Sequence, residues 1–146
     1  MMYGLGNELG MFEEASEAAG IAWWVMELPL GVVFFSPNKT KMLGRKANDF
    51  KHYTDFTTLV HPDDFKPMMQ AMQDHIDGKS TFYETSYRIQ YLDGSYRTFY
   101  DRGKIVGRKG KDITVAGIVF DISSFDVSIL DRTAAADADA AKTSES

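Results

Sequence analysis

The sequence predicts one α+β domain, an antiparallel five-stranded sheet with helices against one face, and three observations carry that reading. Apolar residues between Pro62 and Ile76 recur at helical spacing. From Thr81 onward the period changes to two over three long stretches, "TFYETSYRIQY", "SYRTFYDRGKIV" and "ITVAGIVFDI". Upstream, "IAWWVMEL" and "GVVFF" are two further β-rich runs, so the order is helix, two strands, a helical middle and three strands.

The first helix belongs to "NELGMFEEASEAAG", where Asn7 is placed to cap it, Leu9, Phe12, Ala15 and Ala19 share a face, and Gly20 supplies the stop. Gly10 weakens this helix, which therefore needs a surface to lie on. The two β-rich runs are separated by "PL" and Gly31, a hairpin pattern, and Ser36-Pro37-Asn38 ends the second. Between there and Gly44 there is room for one short helical turn. "RKANDFKHYTDFTTLV" has no clean period and reads as irregular helical turns packed through Phe50, Tyr53, Phe56 and Leu59.

The clearest helix follows. Pro62 suits its first position, and Asp63 and Asp64 lie favourably at its positive end. Phe65, Met68, Met69, Met72 and Ile76 form its apolar stripe, Gly78 ends it, and Pro67 falls early enough for the missing amide to be tolerated. The last three strands are joined by Asp93-Gly94 and by "GRKGKD". The latter does not open a helix, so it reads as a solvated turn rather than a phosphate loop.

Composition narrows the function. The 146 residues are 44% hydrophobic, enough for one core, and 21 acids against 16 Lys and Arg give a net charge of -5. That balance offers no general attraction to nucleic acid or anionic lipid. With no cysteine, disulfides, thiolate nucleophiles and thioether-linked chromophores are excluded. The longest apolar run contains Glu27 and Pro29 and falls short of the roughly 20 residues of a membrane span. The Met-rich start lacks signal-peptide features, and a cytoplasmic setting is the expectation.

The charged row on "YRTFYDRG" needs separate treatment. Strand alternation puts Tyr96, Thr98 and Tyr100 on one face and Arg97, Phe99 and Asp101 on the other, so no acid-base constellation follows from adjacency. Arg102 has Asp101 or Glu84 as pairing choices across the hairpin. A structural or interface role for this row is expected.

With these residues in place, the sequence resembles a PAS domain with its C-terminal PAC motif, as in sensor proteins. The matching pieces are His61-Pro62-Asp63-Asp64, Tyr87-Arg88-Ile89, Asp93-Gly94-Ser95-Tyr96-Arg97, Asp101-Arg102-Gly103 and Gly117 through Ser123. Many relatives have Trp where this chain has Thr98, and Thr where it has Ser123. The resemblance covers residues 9–123, leaving 1–8 as an N-terminal extension, 124–136 as an output-linker helix and 137–146 as a disordered tail. It implies strand order 2-1-5-4-3, with the longer helix between the second and third strands. It also implies a sensory or dimerisation module that regulates a histidine kinase, cyclase or similar output domain. Homodimer contacts would use the outer sheet face or flanking helices.

A concave sheet under a helix can enclose a pocket, here lined by Met68, Met69, Met72, Tyr87, Trp23 or Trp24, and Phe34 or Phe35. A completely packed core is the favoured alternative. Adjacent on a strand, Trp23 and Trp24 must face opposite ways, one inward and one toward a partner or the first helix. His75 lies about 80° from the methionine stripe on a helical wheel, a boundary position that disfavours haem ligation. His61 and His52 read as a turn or capping residue and an isolated histidine, not metal ligands. Haem and flavin are both disfavoured, a flavin adduct having no cysteine, and the cofactor is otherwise undetermined.

By the resemblance, Asp121 holds the last strand to the outgoing chain. Beyond it Phe125 and Ile129 share a helical face with Thr133 and Ala136, a segment expected to pack on the domain or on a sister subunit as an output interface. The competing functions are a ligand-free interaction domain and a small α+β enzyme using Glu27 or Glu84 in the sheet-helix cavity.

Overall fold

A computed structural model describes residues 5–124. Helix α1 (Leu5–Ala19) leads into β1 (Ile21–Leu28) and β2 (Val32–Phe35); short helices α2 (Pro37–Lys41) and α3 (Tyr53–Thr57) and the long α4 (Pro62–Ile76) follow. Strands β3 (Tyr83–Gln90), β4 (Tyr96–Lys109) and β5 (Asp112–Asp121) complete one antiparallel sheet in the order β2-β1-β5-β4-β3, as the resemblance implies. Helix α1 begins before Asn7, which lies within its first turn instead of capping it. Strand β4 runs through Lys109, so the turn expected over "GRKGKD" shrinks to Gly110-Lys111. No helix among the described residues is long and apolar enough to cross a membrane.

The period-two pattern has its expected consequence: Trp24 and Met26 on β1, Val115 and Val119 on β5, and Phe99 on β4 alternate into one buried face. The irregular middle segment spans that face from one sheet edge to the other. Lys51 O accepts from Val33 N at the β2 edge, while His61 N and Leu59 O bond to Arg88 and Gln90 at the β3 edge. Both outer strands are thereby partly covered, which blunts the tendency of open edges to pair with other chains. Phe50 and Phe56 stack at 4.3 Å and hold the segment to Phe35.

Helix α4 is tied at both ends. At its start His61 caps the helix, its ring nitrogen accepting from Asp63 N at 3.1 Å. Asp64 accepts from Arg88 three times, from the backbone N at 2.8 Å and from Nε and Nη2 at 2.9 Å. These bonds hold the Asp64 carboxyl down at about 2. At the other end His75 is buried, correcting the expectation of a boundary position: Ile105 N donates to its Nε2 at 2.9 Å and its Nδ1 lies 3.0 Å from Ser80 O. The helical wheel cannot see β4, whose bulge between Ile105 and Gly107 adjoins the amide that reaches the imidazole. Pro67 sits inside α4 without ending it, near the terminus where an i to i−4 bond is most easily lost.

Candidate functional site

Between the sheet and α4 lies a cavity of about 230 Å³, so the core is not filled completely. Its walls are mostly apolar and include Met68, Met69 and Met72 from α4, Val60 from the segment before it and Ile89 from β3. Of the pocket residues expected from the sequence, Trp24, Tyr87 and the three methionines line it. Trp23 and Phe34 lie on the opposite face of the sheet and are exposed. Phe35 points inward but packs on Phe50 and Phe56 and is not on the cavity wall.

Trp24 reaches the cavity because of what stands beside it. Its register partner on β5 is Gly117, and a Cβ there would collide with the indole ring. Gly117 in turn faces Gly103 on β4, where a Cβ would meet Ala116 O at 2.5 Å. This pair of glycines leaves the bare patch of sheet over which the indole lies. The ring also meets Tyr83 edge-on at 5.8 Å.

In the charged row of β4, Arg97 and Arg102 make structural ion pairs as expected, with Asp121 and Glu84, and Asp101 stands apart from them. Asp101 is 6% exposed and opens onto the cavity, not onto an interface. Tyr87 Oη donates to its Oδ2 at 2.7 Å, while its Oδ1 is buried with no hydrogen-bond partner. The Trp24 indole N–H is near enough to favour the ionised carboxylate but lies outside hydrogen-bonding geometry, and it too has no acceptor. Opposite stands Lys39, from α2 and 7% exposed, its Nζ 3.7 Å from the Phe56 ring centre. Burial pushes the Asp101 carboxyl up to about 6 against the opposing pull of Lys39, and burial lowers the Lys39 amine to about 8. Tyr83 and Tyr87 are raised well above the usual phenol range, chiefly by burial and then by the Asp101 charge. Lys39 and Tyr83 were not among the expected pocket residues. Alternation did place Asp101 on the same face as Phe99, the one signal that could have found it.

The remaining candidates are elsewhere. Glu84 and Arg102 pair across β3 and β4 at 3.7 Å on the exposed face, settling the choice left open for Arg102, and Glu27 is likewise absent from the cavity wall. Asp121 is buried, meets Arg97 Nη1 at 3.4 Å, and accepts from the backbone N and hydroxyl of Ser123 just beyond the strand. Its amide donates to Gly20 O at 2.8 Å, joining the end of β5 to the residue that precedes β1. Phe125 and Ile129 lie outside the described residues. Both His75 nitrogens are engaged within the protein, which leaves no lone pair for a haem iron. His52 caps α3, and no group of three His, Asp or Glu able to hold a metal occurs among the described residues.

Comparison with known proteins places this geometry in context. The sensory box histidine kinase/response regulator of Burkholderia thailandensis is 23% identical, with a TM-score of 0.62 over 92% of this chain and 95% of that one. The N-terminal domain of a diguanylate cyclase with PAS/PAC sensor from Marinobacter aquaeolei is 23% identical, with a TM-score of 0.63 over 70% of this chain and 95% of that one. A PAS domain from Colwellia psychrerythraea gives 14% identity and a TM-score of 0.60 over 81% of this chain and 99% of that one. No curated protein matches the sequence. A family model described as PAS fold matches residues 32–119, more than half of the chain, and the chain therefore belongs to the PAS fold family.

Proposed function

We propose that this chain is a sensory module that takes a small molecule into the cavity between the sheet and α4 and passes its presence to an output domain of the histidine kinase or cyclase type. The observation that carries the reading is the cavity itself, open beside Trp24 and Asp101, whose Nε1 and Oδ1 are buried and without partners. The sensory and output roles of the Burkholderia and Marinobacter proteins, a sensory box histidine kinase and a diguanylate cyclase with a PAS/PAC sensor, support it. Transmission would leave through Asp121, which links β5, Arg97 and the following turn. In this reading none of the described residues on the cavity wall serves as a catalytic group: Asp101 is held by Tyr87, and Glu27 and Glu84 lie off the cavity.

A second reading, a ligand-free interaction and dimerisation domain, is favoured by a different observation. Trp23, Phe34 and Ile118 are exposed on the outer sheet face, and Leu9, Met11 and Phe12 are exposed on α1. The two readings are compatible, since a homodimer through that face leaves the cavity free. Native mass spectrometry of freshly purified protein, with a small-molecule thermal-shift screen, tests the sensory reading. A retained small molecule or a saturable stabilisation is expected; a ligand-free mass with no stabilising compound across chemically diverse classes would leave the interaction domain alone standing.

A further inference from the structure

We infer that the polar end of the cavity is a head-group site for an uncharged, single-ring molecule carrying a hydrogen-bond acceptor and donor side by side, as a carboxamide does. The inference rests on the ligand-sensing reading above and names its ligand class.

Size comes first. A volume of about 230 Å³ equals the liquid share of about eight waters, which suits one ring with a short substituent. The walls then divide the molecule in two. The methionine side chains of α4 offer pliable, polarizable surface to a ring. At the other end three buried groups await partners, and they are of two kinds. Lys39 Nζ and the Trp24 indole N–H are donors, with no hydrogen-bond acceptor in the structure, while Asp101 Oδ1 is an acceptor with no donor. Tyr87 is already committed to Asp101 Oδ2. A carbonyl oxygen that accepts from Lys39 and Trp24, beside an N–H that donates to Asp101 Oδ1, satisfies all three.

Charge selects the neutral form. Lys39 and Asp101 face the same cavity with opposite charges and attract one another without direct contact. Their sum is zero, so an entering anion or cation would leave an unbalanced charge in a poorly polarizable interior. A wholly apolar guest would leave the three polar groups unpartnered.

The test uses four isosteric or near-isosteric probes on the full chain at neutral pH: benzamide, benzoate, benzamidinium and ethylbenzene. Affinity is read by calorimetry and the site by the NMR shift of the Trp24 indole N–H. Benzamide is expected to saturate, to move that resonance, and to bind about tenfold tighter than each of the others. Lys39→Met should weaken benzamide by about tenfold while leaving ethylbenzene unchanged. Asp101→Asn keeps the shape but leaves Lys39 uncompensated, and should turn the preference toward benzoate. Equal or tighter binding of ethylbenzene or benzoate by the unaltered chain overturns the head-group assignment while preserving a ligand cavity. Failure of all four probes overturns the head-group assignment and counts against the sensory reading with it.

Discussion

Asp101 and Lys39 bring opposite charges into a part of the molecule that the sequence marks as apolar, and their titrations run in opposite senses. The Asp101 carboxyl is raised to about 6 in the folded chain by burial, so the unfolded chain gives up this proton first. The native state is therefore favoured most below about pH 4 and loses that advantage as pH rises through about 6. Lys39, lowered to about 8 by burial, contributes stability that grows as pH rises above that value. Asp101→Asn removes the first titration. Measured as unfolding free energy against this variant, the unaltered protein should lose on the order of 2 kcal/mol between about pH 4 and pH 7. A pH-independent difference would mean that Asp101 is more hydrated than its 6% exposure implies. Alternation in "YRTFYDRG" was enough to put Asp101 beside Phe99. Nothing in the sequence could show that Lys39, from the aperiodic "PNKTK", would stand across from it.

At the scale of elements, α4 is a rod fastened at two points with pliable side chains between them. The Asp64 to Arg88 bonds fix its start to β3 and the His75 to Ile105 bond fixes its end to β4, leaving the three methionines over the cavity. His75→Phe keeps the bulk but leaves the Ile105 amide without its acceptor. Hydrogen exchange at Ile105 should accelerate, and stability should fall by on the order of 1–3 kcal/mol. Asp64→Asn should cost less, about 1 kcal/mol, because Arg88 is half-exposed and water replaces part of the interaction. If exchange at Ile105 is unchanged in the His75 variant, the second fastening is not real. The existence and extent of α4 were legible because its stripe, Pro62 and the two acids agree with one another. The roles of its ends were not, since each depends on a strand more than twenty residues away.

Over the whole molecule, the order of elements and the five antiparallel strands follow from period, turns and breakers, whereas the order of the strands across the sheet was implied by the family resemblance and not by local signals. The cavity was beyond them. Its volume depends on how the two register-paired glycines, Gly103 and Gly117, let an indole settle on the sheet, and on how far the middle segment bridges the two edges. The same architecture leaves apolar side chains on the outer face. In the dimer reading, Phe34→Glu with Ile118→Glu should shift sedimentation to the monomer without lowering stability by more than about 1 kcal/mol. An unaltered sedimentation profile would remove that face from the interface. One last consequence concerns Trp23 and Trp24, neighbours on β1 and the whole tryptophan content of the chain. The first is bonded at 3.0 Å to Glu13 of α1 and touches solvent; the second is enclosed beside Asp101. The protein thus contains two natural lamps on either side of a single ribbon, one tuned to events at the flanking helix and one to events inside, and their emission can be watched together without any dye.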